Sequence, residues 1–306
     1  MAREPVLTVA LCTRNRAGSL ARTLERMRCL RLPADLPWEM LVVDNGSSDG
    51  TDAVLRGSGT LPLRTLREPE PGLSRARNRA LAEAAAPLIL WTDDDVDLDA
   101  GWLEAYLGAT GRHPEAAFFG GPIHPLFEAP PPAWLVRGFP TVRTAFAFVD
   151  EGPQERGLEP GEAVFGANMA FRTSTLRRYG FDSTLGACGG TRLLGEETQV
   201  MRRMQGDGLR GVWVPDAKVK HRIPPERLTL AYLAGYYAAL GRSTAREAPP
   251  PPRPRAAAFH DFWRAWIETW PRHLLQRATG RPPEAWLRTF RRMHFLRGRA
   301  KELLAR

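Results

Sequence analysis

Pro87-Leu88-Ile89-Leu90-Trp91-Thr92-Asp93-Asp94-Asp95 passes from an apolar run directly into three consecutive carboxylates. The run is short, follows a proline and is apolar throughout, so it reads as a buried strand with the carboxylates leaving its carboxyl end. Charges packed so closely repel one another. A hard cation with a taste for oxygen, Mg2+ or Mn2+, stabilises such a cluster and also bridges phosphates. The competing reading is an acidic loop capping a helix that starts near Gly101.

Outward from this stretch, apolar runs alternate with helical patterns. Val6–Leu11, Met40–Val43 and Leu63–Leu66 read as strands; Leu20, Leu24 and Met27 mark one face of a helix, and Ala76–Ala85 forms another. That alternation predicts an α/β fold, a mostly parallel sheet with helices on both faces. Ligands in such sheets bind beyond the carboxyl ends of the strands. The polar clusters fall there: Thr13-Arg14-Asn15 after the first strand, Asp44-Asn45-Gly46-Ser47-Ser48-Asp49 after the second, and Asp93-Asp94-Asp95 after the fourth. Taken singly, each has a bland alternative, since Asx and Gly turns are common and the arginines of Gly72-Leu73-Ser74-Arg75-Ala76-Arg77-Asn78 suit a diphosphate or a solvated helix face equally.

Beyond Gly121 a Pro-rich loop, Pro130-Pro131-Pro132, opens a stretch up to Pro160 that has room for an acceptor-facing hairpin. Regular patterning then resumes with a strand over Ala163–Phe171, a helix from Ser174, a glycine-rich loop Gly186–Gly195, a helix Glu196–Gln205 and a strand Gly211–Val214. Pro249–Pro254 is a stiff spacer. The expected organisation is one domain over 1–225, in halves 1–121 and 122–225, and a helical extension over 226–306.

Composition narrows the classes. Cys12, Cys29 and Cys188 are odd in number and far apart, which is neither a disulfide framework nor a metal-finger spacing. The apolar start, Val6–Leu11, is too short for a signal-peptide core. Leu228–Leu240, 13 residues with three tyrosines, falls short of the roughly 20 a membrane span needs. A cytoplasmic protein is expected. The net charge of +9 is densest after Arg253, but no nucleic-acid-binding module is recognisable. No G-x-G-x-x-G follows a strand, which argues against a dinucleotide-dependent oxidoreductase, and Cys12-Thr13-Arg14-Asn15-Arg16 is not the phosphate loop of a nucleotidyltransferase. In the extension, Phe262, Trp263, Trp266, Ile267 and Trp270 recur at helical spacing beside Arg264 and Arg272. That pattern suits core, a homodimer contact, or peripheral attachment to an anionic membrane surface.

The ordered set Val42-Val43-Asp44-Asn45-Gly46-Ser47-Ser48-Asp49-Gly50-Thr51, Gly72–Asn78 and Asp93-Asp94-Asp95 resembles the family 2 glycosyltransferases with the GT-A fold. The likeness continues through Gly166–Arg172, Tyr179-Gly180-Phe181-Asp182, Gly195-Glu196-Glu197, Val212–Ala217 and His221, covering roughly 5–222. It implies a nucleotide-binding half over 1–121, an acceptor-binding half over 122–225, and an inverting, metal-assisted transfer of a sugar from a nucleotide-diphosphate donor to a saccharide, lipid-linked or small-molecule acceptor. UDP is the favoured nucleotide and a hexose the favoured sugar. Thr13, Arg14, Asp44, Arg77, Asp93 and Asp94 would contact the nucleotide, and Asp95 and His221 would hold Mn2+ or Mg2+. Asn168 and Arg172 would steer the donor sugar, and Glu197 or Glu196 would be the base. Glu197 stands where the family has aspartate, one methylene longer. The alternative on the same scaffold is a catalytically silent protein or a membrane-associated assembly factor.

Overall fold

Strand β1 (Leu7–Thr13) is buried along almost its whole length, and the rest of the sheet is laid against it. The computed structural model describes residues 4–32, 36–162, 164–188, 191–249 and 251–305. Ala163, Gly189, Gly190 and Pro250, named above within a strand, a loop and a spacer, lie outside the described residues. In chain order, β1 is followed by α1 (Ala17–Met27), β2 (Trp38–Asp44), α2 (Thr51–Arg56), β3 (Leu63–Arg67), α3 (Leu73–Glu83), β4 (Leu88–Asp93), β5 (Val96–Leu98) and α4 (Trp102–Arg112). Then come β6 (Phe118–Gly120), β7 (Ile123–Phe127), α5 (Ala133–Val142), β8 (Arg156–Gly157), β9 (Asn168–Arg172), α6 (Thr173–Tyr179), β10 (Ala187–Cys188), β11 (Thr191–Arg192), α7 (Glu196–Gly206), β12 (Gly211–Trp213) and β13 (Val219–Ile223). The remainder is helical: α8 (Leu230–Glu247), α9 (Pro254–Trp263), a π-helical turn (Arg264–Thr269), α10 (Trp270–Ala278) and α11 (Pro283–Leu304).

Two compact units divide the chain. The first comprises 1–125, 147–190 and 196–222 and carries an eight-stranded sheet in the order β3-β2-β1-β4-β9-β6-β12-β8. β1, β2, β3 and β4 run parallel, and β9 is antiparallel to both β4 and β6. Side chains alternate between the two faces, as strand geometry requires. Leu7, Val9 and Leu11 pack with Leu20, Leu24 and Met27 of α1 and with Trp102 and Tyr106 of α4. On the other face Leu41, Val43, Ile89 and Trp91 pack with Ala76 and Ala80 of α3 and Val200 and Met204 of α7. Each fully buried Val or Leu contributes roughly 1.5–3 kcal/mol of transfer free energy. Because β2 and β3 lie to one side of β1 and β4 to the other, the chain switches direction between β1 and β4, and the carboxyl ends of those strands border a crevice.

The second unit comprises 126–146, 191–195 and 223–306. Its core joins Leu135 and Val142 of α5, Leu233 and Tyr237 of α8, and Leu287, Phe290 and Met293 of α11. α8 and α11 approach backbone to backbone: a Cβ on Gly298 would meet Ala238 O at 2.0 Å, and one on Gly241 would meet Phe295 O at 2.0 Å.

Two sequence expectations are corrected. The strand expected over Ala163–Phe171 begins only at Asn168, because Asn168 N donates to Phe165 O in a turn that delays it. The stretch up to Pro160 is not a hairpin: α5 starts directly after Pro132, and its Leu135, Gly138 and Val142 are buried at helical spacing. β13 was not expected, although Val219, His221 and Ile223 alternate with Lys220 and Arg222 in strand fashion.

Candidate active site

The three carboxylates close a turn between β4 and β5 at the carboxyl end of the sheet. Asp94 and Asp95 are buried, and an unneutralised pair there would be costly. Arg16 supplies the charge: its guanidinium lies 3.1 Å from Asp94 Oδ1 and 2.7 Å from Asp95 Oδ2. Thr13 Oγ1 donates to Asp94 Oδ2 at 2.6 Å. Burial nevertheless pushes the Asp94 carboxyl up to about 7, against the pull of Arg16. The turn's backbone is held too, since Ser19 Oγ, Thr23 Oγ1 and the buried Arg222 all donate to Asp94 O, and Arg222 also pairs with Asp97. Arg222 and His221 are neighbours on β13, and strand alternation sends their side chains to opposite faces. His221 Nε2 comes within 3.3 Å of Asp95 Oδ2.

The second group of charges centres on Arg77 of α3, buried beneath the same crevice. Its Nη1 is 2.8 Å from Glu196 Oε1 and 3.6 Å from Glu197 Oε2, at the start of α7. Its guanidinium also sits over the Phe181 ring at 5.5 Å. Gly166 makes room for it: a Cβ there would stand 2.1 Å from Arg77 Nη2. Burial works against the charge on Arg77, but Glu196 and Glu197 outweigh it and the net shift is upward. Burial, with Glu197 beside it, pushes the Glu196 carboxyl up to about 8 despite Arg77. The two glutamates differ in their bonding. Glu196 Oε1 accepts from Arg77, whereas Glu197 Oε1 receives only a long 3.4 Å bond from Gly166 N and its buried Oε2 has no hydrogen-bond partner among the described residues. Asp93 joins the two groups. Burial raises its pKa, and the charges of Arg77, Asp95, His221 and Glu197 all act on it.

The loops around the crevice are cross-braced. Asp44 Oδ1 accepts from Ser47 N at 2.9 Å. Asn45 donates to Glu68 O and Glu70 O and accepts from Gly72 N, tying the end of β2 to the start of α3. Asn15, in the left-handed region at φ 52°, accepts from Ser48 N. That reversal brings Arg16 back over the carboxylates and leaves Arg14 exposed. Arg14, expected at the nucleotide, makes no such contact with the carboxylates; Arg16, on which no expectation rested, is the arginine that pairs with Asp94 and Asp95.

Three further expectations change. Thr13 directs its hydroxyl to Asp94 rather than outward. Asn168, expected at the donor sugar, is fully buried: its amide donates to Pro122 O and Ala217 O and accepts from Trp102 Nε1 and Tyr106 OH. All its capacity is used inside the protein. Arg172, also expected there, pairs in register with Leu88 at the opposite end of β4 from Asp93, and its guanidinium donates to Thr110 O, His113 O and Ala116 O.

Residues 8–180, more than half of the chain, match the family described as "Glycosyl transferase family 2". The chain belongs to glycosyl transferase family 2. This family 2 enzyme is 26% identical over 234 residues to the succinoglycan biosynthesis protein ExoM of Rhizobium meliloti, spanning 74% of this chain and 70% of the relative. It is 23% identical over 227 residues to a glucosyl-dolichyl phosphate glucuronosyltransferase of Haloferax volcanii, spanning 71% and 69%. Among solved structures, mannosyltransferase PcManGT from Pyrobaculum calidifontis, in complex with GDP-Man and Mn2+, aligns with a TM-score of 0.62 at 21% identity, over 99% of this chain and 88% of that one. The likeness is one of fold, and the fold of the family 2 enzyme is GT-A.

Proposed function

We propose that this glycosyltransferase moves a sugar from a nucleoside diphosphate donor to an acceptor hydroxyl with inversion, with Glu197 as the base and a divalent cation held by Asp95 and His221. The observation that carries the reading is the convergence of Asp93, Asp95, His221, Arg77 and Glu197 on one end of the sheet. Donor chemistry needs positive charge for the diphosphate, and transfer needs a carboxylate free to take a proton.

Asp95 Oδ2 and His221 Nε2 form a carboxylate–imidazole donor pair that suits Mn2+ as well as Mg2+. No group of three or more His, Cys, Asp or Glu side chains able to hold a metal occurs among the described residues, so the fit is to a cation that takes phosphate or water for its other ligands. When bound there, the cation supplies Lewis-acid neutralisation of the diphosphate. The protein's own groups do the rest. Asp44, at the carboxyl end of β2, faces the nucleoside; Asp93 meets the ribose side; Arg16 and Arg77 place positive charge where the leaving group gains negative charge. Glu197 removes the acceptor proton as the acceptor oxygen bonds to the anomeric carbon and the bond from that carbon to the diphosphate oxygen breaks. Glu196 holds Arg77 in place.

UDP is the nucleotide first proposed, and GDP, which the fold neighbour carries as GDP-Man, is the second. Thermal melts with UDP, GDP or TDP, with and without Mn2+, test the donor site, because ligand that binds only the native state raises the melting temperature. One nucleotide should stabilise only with metal, and Asp95→Ala should abolish the shift. Absence of any shift in the unmutated protein removes the donor reading, and the silent scaffold then takes its place. Product stereochemistry by NMR tests inversion separately.

A further inference from the structure

The outward side of α9, the π-helical turn and α10 is apolar. Phe259, Phe262, Trp263, Ile267, Leu274 and Leu275 are each between 48% and 67% exposed. The same helices already bury another face, since Ala258, Asp261, Ala265, Thr269 and His273 are covered. The π-helical turn, in which Thr269 Oγ1 donates five residues back to Arg264 O, lies in the middle of this stripe. Scattered exposed hydrophobic residues are ordinary, but a continuous aromatic and aliphatic stripe of this length is not. The rings already pack against one another along it, Phe262 to Trp266 at 6.2 Å and Trp266 to Trp270 at 5.9 Å, so little side-chain freedom would be lost on docking.

Charge identifies the occupant. Residues 251–306 contain 13 Lys and Arg against 4 Asp and Glu, whereas residues 1–250 contain 30 of each. The whole net charge of +9 therefore belongs to the segment that carries the apolar stripe. Of its acids, Asp261 pairs with Arg299, Glu302 with Arg242 and Arg246, and Glu268 with Arg264. Arg255, Arg272 and Arg277 lie exposed on the same helices, and Arg297 stacks over Trp266 at 5.3 Å. Tryptophan and phenylalanine beside arginine is the composition of a helix lying in the boundary of an anionic bilayer. A second copy of the chain would bring the same positive charge against itself. No helix among the described residues is long and apolar enough to cross a membrane.

We infer that the α9–α10 face is a docking surface for an anionic lipid bilayer, seated by Phe262, Trp263 and Ile267 and attracted by the surrounding arginines. The inference stands apart from the transfer chemistry, and its test needs no substrate. The full-length protein is cosedimented with vesicles of phosphatidylcholine alone and with vesicles containing about 30% phosphatidylglycerol, at low and high salt. Partition onto the anionic vesicles should exceed that onto neutral ones by at least about tenfold and weaken with salt. The triple variant Phe262→Ser, Trp263→Ser, Ile267→Ser, with solvent-facing substitutions and folding checked by circular dichroism, should lose at least about tenfold of that partition. Equal binding of the variant would mean that charge alone holds the protein to lipid, and the docking face would be overturned. So would the absence of binding to anionic vesicles, or light scattering that shows a dimer which the triple variant dissociates.

Discussion

Glu196 and Glu197 are adjacent in sequence and both near Arg77, yet their bonding separates them: Glu196 is engaged by the guanidinium at 2.8 Å, and Glu197 keeps a buried oxygen without a hydrogen-bond donor. Glu197→Gln keeps the shape and removes the base. It should lower kcat by about 10²–10⁴-fold with little change in donor affinity, read by steady-state kinetics beside a nucleotide melt. A loss of donor binding instead, with kcat retained, would assign Glu197 to the donor. Arg16 belongs to the same scale. It bridges Asp94 and Asp95, so a cation at Asp95 must compete with it. Arg16→Gln should melt at a lower temperature and gain more from Mn2+ alone than the unmutated protein does. Equal Mn2+ shifts would place the cation away from Asp95. The carboxylates, Arg77 and His221, which lie together at one end of the sheet, were open to selection by residue type, because each carries its chemistry in its side chain. Arg16 was not, because its arrival at Asp95 depends on the left-handed turn at Asn15, and Asn168 was misread because its four partners come from distant segments.

Elements show the same division between local and distant causes. β1, β2 and β4 were readable as apolar runs ended by polar clusters, and α1 as a stripe at 3.6-residue spacing. α5 was not, because Pro130-Pro131-Pro132 and the internal Pro140 mask a helix whose support is the packing of Leu135 and Val142 with α8 and α11. β9 shows how a buried polar group can fix an element. Asn168→Ala would strand the indole N–H of Trp102, the hydroxyl of Tyr106 and two carbonyls, and should cost ~3–5 kcal/mol in denaturant unfolding. A cost below ~1 kcal/mol would mean that water replaces the amide. Two glycines of α8 should respond with opposite signs. Gly235 has nothing within 4 Å of a new Cβ, so Gly235→Ala should stabilise by up to ~1 kcal/mol through helix propensity. A Cβ at Gly241 would stand 2.0 Å from Phe295 O, so Gly241→Ala should destabilise by ~1–3 kcal/mol or more. Equal effects would mean that the crossing with α11 yields readily.

At the scale of the molecule, stability should depend on pH through two opposed sets of carboxylates. In the first set, burial raises the pKa of Asp93, of Asp94 to about 7, and of Glu196 to about 8. The folded state binds these protons more tightly than the unfolded chain, so their contribution is complete below the ordinary carboxylate values and is lost as pH rises through the folded ones. In the second set, hydrogen bonds from Arg112 and Arg156 hold Glu155 and Glu162 below their usual range. Their contribution is present above the ordinary value and is lost as pH falls through the lowered one. The sum should be greatest near the ordinary carboxylate values, about pH 4, and decline toward about pH 8, in thermal melts taken without metal or nucleotide. Glu196 is the separable part of that decline, because burial raises its carboxyl to about 8 and Gln preserves its size. Glu196→Gln should therefore flatten the curve between about pH 6 and about pH 8 relative to the unmutated protein. If the two curves run parallel there, Arg77 keeps Glu196 ionised throughout, and the proton that burial favours resides on Asp93 instead.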